Sequence, residues 1–354
     1  MTTINRNPPD RGVASGRTVS KSVAAALLPL LLVSAFPGPV LAADTEWSLL
    51  LEPMYMDGYG NDQHVLTIHD LDFDSTPALD SATPVTLDTE PKIGYRFELQ
   101  YARAEWNDWT LGLDFFWFAT SQGRAARAAA AGAPADQVVF QVADRSFTSD
   151  GPGEVLFFRV LEDTDLAAWT ADLYGLRTLS ETSDSKLKVQ FGLRNADFDN
   201  DVHTVVGIED VEGALTDASS NYDRMIGPLL GLSAETRVGD GVLRGYLGQS
   251  IVFGSADLTG MIQDFVGPAG ASPSVTGVEL FRTNKDVAIP ITEFRINWLY
   301  PVTPSISIGV AVNASIWWDV PVPPGVVPIS GGSGLFRENT VSYFGLGLAV
   351  KYRD

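Results

Sequence analysis

The feature that most restricts this chain is two-residue alternation, repeated along nearly its whole length. In Ile291–Tyr300, "ITEFRINWLY", the bulky residues Phe294, Ile296, Trp298 and Tyr300 alternate with Glu293, Arg295 and Asn297. Successive side chains of a strand point to opposite faces, so one face here is greasy while the other holds a carboxylate, a guanidinium and an amide. Ser305–Ile316 repeats the pattern, with Ile306, Ile308, Val310, Val312, Ala314 and Ile316 on one face and Ser, Gly, Ala and Asn on the other. A soluble sandwich could alternate in this way, but its solvent face would not be so uniformly aromatic and aliphatic. A closed sheet in lipid reverses the usual order, with apolar residues outside and polar residues inside, and closure satisfies every backbone group.

Ten runs of this kind can be counted. They are Trp47–Tyr55, Ile93–Tyr101, Trp109–Phe118, Ala167–Arg177, Leu187–Arg194, Ile226–Thr236, Val242–Phe253, Ile291–Tyr300, Ser305–Ile316 and Tyr343–Tyr352. Val242–Phe253 shows no clear parity, and Pro228 predicts a bulge or a strand end because it cannot donate a ladder hydrogen bond. The connections also alternate. Arg103–Asp108, Ser180–Ser185, Val238–Gly241 and Pro301–Pro304 are short, whereas about Asp57–Pro91, Ser121–Thr164, Ala196–Arg224, Gly254–Pro290 and Asp319–Asn339 are long. Short turns on one side and long loops on the other are the outer-membrane barrel pattern, and runs of nine to eleven residues match a tilted span. Trp47, Tyr101, Trp109, Trp117, Trp298, Tyr300, Trp318 and Tyr352 fall near run ends, where interfacial girdles form.

The N-terminus agrees with export. Arg6, Arg11, Arg17 and Lys21 precede an apolar stretch from about Val23 to Phe36 and then "PGPVLA", which predicts a signal peptide over residues 1–42 cleaved after Ala42 and a barrel domain over 43–354. Pro29 and the short apolar length argue against an uncleaved anchor. The chain has no Cys, so it has neither disulfides nor a lipidation cysteine. Of its 24 basic and 44 acidic residues, 20 and 43 remain after the predicted cleavage removes Arg6, Arg11, Arg17, Lys21 and Asp10, a net charge of −23. The final strand, "GLGLAVKY" (Gly345–Tyr352), resembles the terminal strand of outer-membrane proteins, with Arg353 and Asp354 added after it.

With these strands placed, the chain resembles the Legionella-type major outer membrane protein family. The resemblance rests on "IGYRFELQY" with "WNDW", on "VQFGLRNADFD", and on "YDRMIGPLLGLSAETRVGDGVLRGYLGQSIVFGSA" (Tyr222–Ala256), and it spans essentially the whole mature chain. It implies a pore-forming outer-membrane barrel with no catalytic residues.

Turning the polar parity inward puts Glu52, Glu98, Asp114, Asp172, Glu235 and Glu293 in the lumen, against Arg96, Lys188, Arg194, Arg244, Arg295 and Lys351. Equal numbers of each sign in a narrow barrel predict a paired network, since unpaired buried charges cost several kcal/mol each. Arg96, Glu98, Asp114, Asp172, Lys188, Arg194, Glu293 and Arg295 are the candidate pore-lining residues. The acidic surplus falls in the long connections: Asp57–Pro91 holds eight acids and no Lys or Arg, and Ala196–Arg224 holds eight acids and one Arg. Asp70, Asp72, Asp74, Asp197, Asp199 and Asp201 are the candidate cation-attracting vestibule. "DFDND" (Asp197–Asp201) has the alternate carboxylates of a calcium loop but lacks its Gly and distant Glu. His64, His69 and His203 also lie in these connections, near Asp70, Asp72, Asp199 and Asp201. Such Asp–His pairs could activate water in the manner of ten-stranded outer-membrane proteases, but nothing else supports an enzyme.

The expectation is an all-β transmembrane antiparallel barrel of about ten strands, with short periplasmic turns and long extracellular loops. "VVFQV" and "EVLFFRV" within Ser121–Thr164 could raise the count to twelve. The expected role is passive, cation-preferring passage of small solutes or ions. A non-conducting structural or adhesive barrel is the alternative, and a hydrolase with a rim site comes third. No cofactor, metal or nucleic acid is implied. The expected partners are outer-membrane lipid and lipopolysaccharide, the barrel-assembly machinery, and small ions or solutes.

Overall fold

The computed structural model describes residues 45–59, 63–72, 78–87, 92–106, 108–131, 137–142, 145–148, 155–208, 212–266, 274–322 and 337–354. The predicted signal peptide and Asp74 lie outside them. In chain order the strands are β1 (Thr45–Tyr59), β2 (Gln63–Asp72), β3 (Ala78–Leu87), β4 (Lys92–Arg103), β5 (Trp109–Ala131), β6 (Gln137–Val142), β7 (Arg145–Thr148), β8 (Val155–Glu181), β9 (Ser185–Ile208), β10 (Glu212–Val238), β11 (Gly241–Val266), β12 (Ser274–Pro301), β13 (Ile306–Val322) and β14 (Arg337–Arg353). Ten of them close a barrel in the order β1-β14-β13-β12-β11-β10-β9-β8-β5-β4. The other four form a separate sheet, β3-β2-β6-β7.

The count of ten is therefore right and the extra hairpin does not join the barrel. "VVFQV" belongs to β6 in the second sheet, and Val155–Val160 of "EVLFFRV" is the start of β8. Among the described residues no helix is long and apolar enough to cross a membrane, so any crossing falls to the strands.

The outward face carries the apolar parity. Leu111, Leu113, Leu173, Leu193, Leu230, Leu247, Phe294, Val310 and Leu348 are all exposed to the surroundings, an arrangement that suits lipid and not water. Aromatic residues bound this band. Trp47 packs on Tyr352 at 5.0 Å and Trp298 on Tyr300 at 6.3 Å at the short-turn end, and at the other Tyr95 stacks on Trp117 and Phe115 on Trp169, with a tilted Tyr95–Phe115 contact joining the two pairs. Trp109 and Trp117 are eight residues apart on one strand, about 26 Å of chain, which at the usual tilt rises about 20 Å, most of the apolar band of an outer-membrane barrel.

The short turns are tight. Asp108 and Gly239 take left-handed φ values of 69° and 62°. Thr182 N donates to Ser185 O (2.8 Å), and Val302 N to Ile306 O (2.8 Å). Register shifts also occur between Thr178 and Ser180 of β8 and opposite Asp264–Phe265 of β11, but the two that bear on the interior lie between Tyr222 and Met225 of β10 and between Trp317 and Val320 of β13. Arg224 and Asp319 absorb them with φ of 55°. Each bulge shifts the parity by one, so both of its flanking apolar residues point inward. The irregularity foreseen at Pro228 thus sits a few residues earlier. Pro228 itself stays in register with Leu193 on β9 and its ring faces outward, while the β10–β11 ladder passes from Ile226↔Phe253 to Leu229↔Ser250 without pairing it.

One expectation is corrected here: much of the long connections is strand. Pairing of β8 with β9 runs from Glu181↔Lys186 to Phe158↔Ile208, and β10 with β11 continues to Glu212↔Val266. By contrast β4–β5 pairing stops at Gly94↔Phe118, and β12–β13 pairing stops at Ile291↔Trp317. Six strands, β5 and β8 to β12, therefore continue past the rim as a one-sided wall. The β4–β5 end residue Phe118 is level with Ala168 and Phe198, so from Asp199 to Ile208 alone the wall adds about 30 Å of strand.

Candidate functional site

The barrel interior is the candidate site, and it is built in tiers. In the middle tier Arg194, with no exposed surface, donates Nε to Asp172 Oδ1 (2.8 Å) and Nη2 to Asp172 Oδ2 (2.6 Å) and Glu293 Oε2 (2.5 Å). Its Nη1 reaches Ser250 Oγ at 3.3 Å. Arg96 donates Nε to Asp114 Oδ1 (2.8 Å) and approaches Glu293 Oε1 at 3.5 Å, while Arg295 donates Nη1 to Asp114 Oδ2 (2.7 Å). Asp114 and Glu293 are thus shared acceptors that tie β4, β5, β9 and β12 together across the lumen. Glu52 accepts from Asn297 and Asn313, so among the described residues this acid is held by amides and not by an ion pair.

Nearer the short turns, Glu98 accepts from Tyr174 Oη (2.7 Å), Gln100 Nε2 (2.8 Å) and Arg244 Nη1 (3.5 Å), and Arg244 Nε donates to Glu235 Oε1 (2.8 Å). Lys188 and Lys351, half-buried on the inward parity, contribute positive charge near Glu235. Above the middle tier, toward the long connections, the interior changes character. Met54, Met56, Phe116, Phe118, Ala168, Ala196, Phe198, Tyr222, Met225, Val252, Ile291, Trp317, Val341 and Tyr343 form one apolar cluster, none of it more than 3 % exposed. Phe198 packs on Tyr222 (5.4 Å) and Trp317 (5.9 Å), and Tyr343 on Phe118 (5.0 Å) and Trp317 (6.4 Å). The cluster draws on nine of the ten barrel strands, so it fills the cross-section like a core.

All eight candidate pore-lining residues, Arg96, Glu98, Asp114, Asp172, Lys188, Arg194, Glu293 and Arg295, lie inside the barrel, and all but Lys188 are buried. The vestibule residues lie elsewhere. Asp197, Asp199 and Asp201 are within β9, where Ala196, Phe198 and Asn200 hold the inward positions, so the three carboxylates face outward. The spacing that suggested a calcium loop is strand alternation. Asp70 falls on β2 opposite Ser81 of β3, and Asp72 opposite Ala78, in the second sheet. His64 and His69 lie on the same strand. His203 pairs with Asp217 directly opposite it on β10, again on the outward face. Burial against the wall pushes the Asp201 carboxyl above its usual range; a hydrogen bond with Ser219 opposes the shift, and Asp165 adds to it. Among the described residues no group of three or more His, Cys, Asp or Glu could hold a metal.

The charged positions were legible from parity alone. The neutral partners Tyr174, Gln100, Asn297 and Asn313 were not, because only register shows which of many polar inward residues meet a carboxylate. The apolar tier did leave a trace: Phe116 and Phe118 continue the inward parity of Asp114 as apolar residues.

No family model and no curated protein matches the chain. Among solved structures it is similar to the outer membrane protease OmpT from Escherichia coli, with 13% identity over 90% of this chain and 99% of that one and a TM-score of 0.50. Looser likenesses are the P. putida toluene transporter TodX (10% identity, 89% and 90% coverage, TM-score 0.24) and the transport unit of the autotransporter AIDA-I from Escherichia coli (9%, 94% and 97%, 0.23). The first supports the fold. Fold and interior together define the class: a ten-stranded outer-membrane-type β-barrel with a side-chain-filled lumen.

Proposed function

We propose that this chain is an outer-membrane anchor, closed across its lumen, that holds a β-structured wall above the membrane. The observation that carries this reading is the apolar cluster. A passive channel needs a continuous wetted path, whereas here Trp317, Tyr343, Phe118, Phe198, Met54 and Met56 occupy the cross-section at core-like burial. Export through a signal peptide cleaved after Ala42, insertion by the barrel-assembly machinery, and contact with lipid and lipopolysaccharide complete the reading. The exposed apolar band is its support. A hydrolase is disfavoured because the His203–Asp217 pair faces outward from the wall, not into the barrel mouth.

The second reading is the passive pore for small solutes or ions that the Legionella-type resemblance implies. It is favoured by the polar lower half of the lumen. In that reading the apolar tier is a gate that must part before ions pass, and the acidic surplus gives a cation preference that weakens as salt rises. Planar-bilayer recording of the purified mature protein separates the two. The anchor reading expects no stable current steps. Reproducible steps with a K⁺-favouring reversal potential in a KCl gradient would replace it with the pore.

A further inference from the structure

Below the charged tier lies a cavity of about 20 Å³, measured as the space open to the centre of a water molecule. Glu98, Gln190, Arg244, Tyr246, Arg295 and Asn297 are among the residues that line it. Four of these have a buried polar atom with no protein partner among the described residues: Gln190 Nε2, Tyr246 Oη, Arg295 Nε and Asn297 Oδ1. Their residues are 2 %, 8 %, 7 % and 5 % exposed. Such groups are rarely left unsatisfied, and four of them on residues that line one cavity point to a ligand.

The surroundings fix where these groups sit. Asn297 commits its amide nitrogen to Glu52, which leaves Oδ1 as the free acceptor. Arg295 commits Nη1 to Asp114 and lies over the Tyr246 ring at 3.7 Å, which leaves Nε–H. Tyr246 is opposite Arg295 in the β11–β12 register. Its side chain lies against Gly231 and Gly248, where a built Cβ would come within 2.7 Å of the ring and, at Gly248, within 2.3 Å of Oη, so these glycines make room for it.

We propose that this cavity is a water-binding site and the inner end of a hydrated lower lumen. Two donors (Gln190 N–H and Arg295 Nε–H), one acceptor (Asn297 Oδ1) and one hydroxyl that can do either (Tyr246) match the two-acceptor, two-donor valence of a single water molecule. The volume suits about one water. An anion would face Glu98 and Asn297 Oδ1, and a cation would face two guanidinium groups, so charge selects the neutral ligand. The lower lumen leads to it, since Lys188, Glu235 and Lys351 toward the short turns are only half-buried. The site stands whether or not the apolar tier above it ever opens.

The test uses the sign of a stability change. Tyr343, in the apolar tier, also has an unpartnered hydroxyl and is 1 % exposed. Deleting a hydroxyl that bonds to water loses that bond, whereas deleting one with no partner relieves a desolvation cost. Tyr246→Phe in the full-length barrel, refolded into vesicles, should lower the thermal midpoint by about 2–4 °C, while Tyr343→Phe leaves it unchanged or raises it. An unchanged or raised midpoint for Tyr246→Phe overturns the water site. Radiolytic hydroxyl-radical footprinting gives an independent reading, because radicals form from water held beside a side chain. Modification of Tyr246 with protection of Tyr343 is expected. Protection of both overturns the site, and modification of both overturns the dry boundary above it.

Discussion

Arg194→Met removes the most deeply held cation of the interior and keeps most of its bulk. Among the described residues Arg194 is the only cation that an ion pair or hydrogen bond links to Asp172, and it shares Glu293 with Arg96, which approaches at 3.5 Å. The variant therefore leaves Asp172, 3 % exposed, as a buried carboxylate without its counter-charge. Breaking one partner out of a buried pair costs about 3–5 kcal/mol. Arg282→Met is the control. It breaks a pair with Asp257 at a similar 2.8 Å, but with 72% and 40% of the side chains exposed, where the worth is about 0–1 kcal/mol. Adding Asp172→Asn to Arg194→Met should recover much of the loss by removing the stranded charge. Urea unfolding of vesicle-inserted protein, followed by tryptophan fluorescence, reads all three. A loss below about 1 kcal/mol for Arg194→Met, equal to that of Arg282→Met, would mean that the interior is wet enough to solvate Asp172 and that the tiered lumen is wrong.

Arg295→Ala should cost less than Arg194→Met in the same assay, because Asp114 keeps its contacts from Arg96; an equal or larger loss would show that the charges are not shared as the distances indicate. Trp317→Ala opens a hole in the apolar tier and should destabilise by about 3–5 kcal/mol, and bilayer recordings of this variant should show current if that tier is what shuts the lumen. Gly227→Ala should prevent formation of the heat-resistant folded band on gels, since a Cβ there would lie 1.8 Å from the Ile251 carbonyl oxygen, between two paired strands. Asp201→Asn tests the wall: with its carboxyl raised in the folded state, ionisation is penalised by folding once pH rises past the unfolded value of about 3.8. The variant should thus be more stable than the parent at pH 7 and lose that advantage below pH 3.8, and the opposite pH trend would count against burial as the cause.

Alternation carried much of this protein in its sequence. Period two gave the strands, the lipid-facing parity and the inward position of every charge from Glu52 to Lys351, because in a closed sheet parity alone decides in from out. The ten-strand count followed from the turns. What parity could not give was height and partner. Asp197, Asp199 and Asp201 looked like a loop cluster because polar outward residues above a membrane resemble a solvated connection; only the ladder from Lys186 to Ile208 shows that β9 never stops. Nor could parity say that Asp114 serves two arginines or that Glu52 is held by Asn297 and Asn313, since these contacts depend on how far each strand is staggered against its neighbours. The closing of the lumen belongs to the same stagger. Phe118, Phe198, Trp317 and Tyr343 come from four strands far apart in sequence, and each reads as an ordinary inward residue. It is the register around the barrel, with the bulge after Trp317, that brings them to one level and makes them a core.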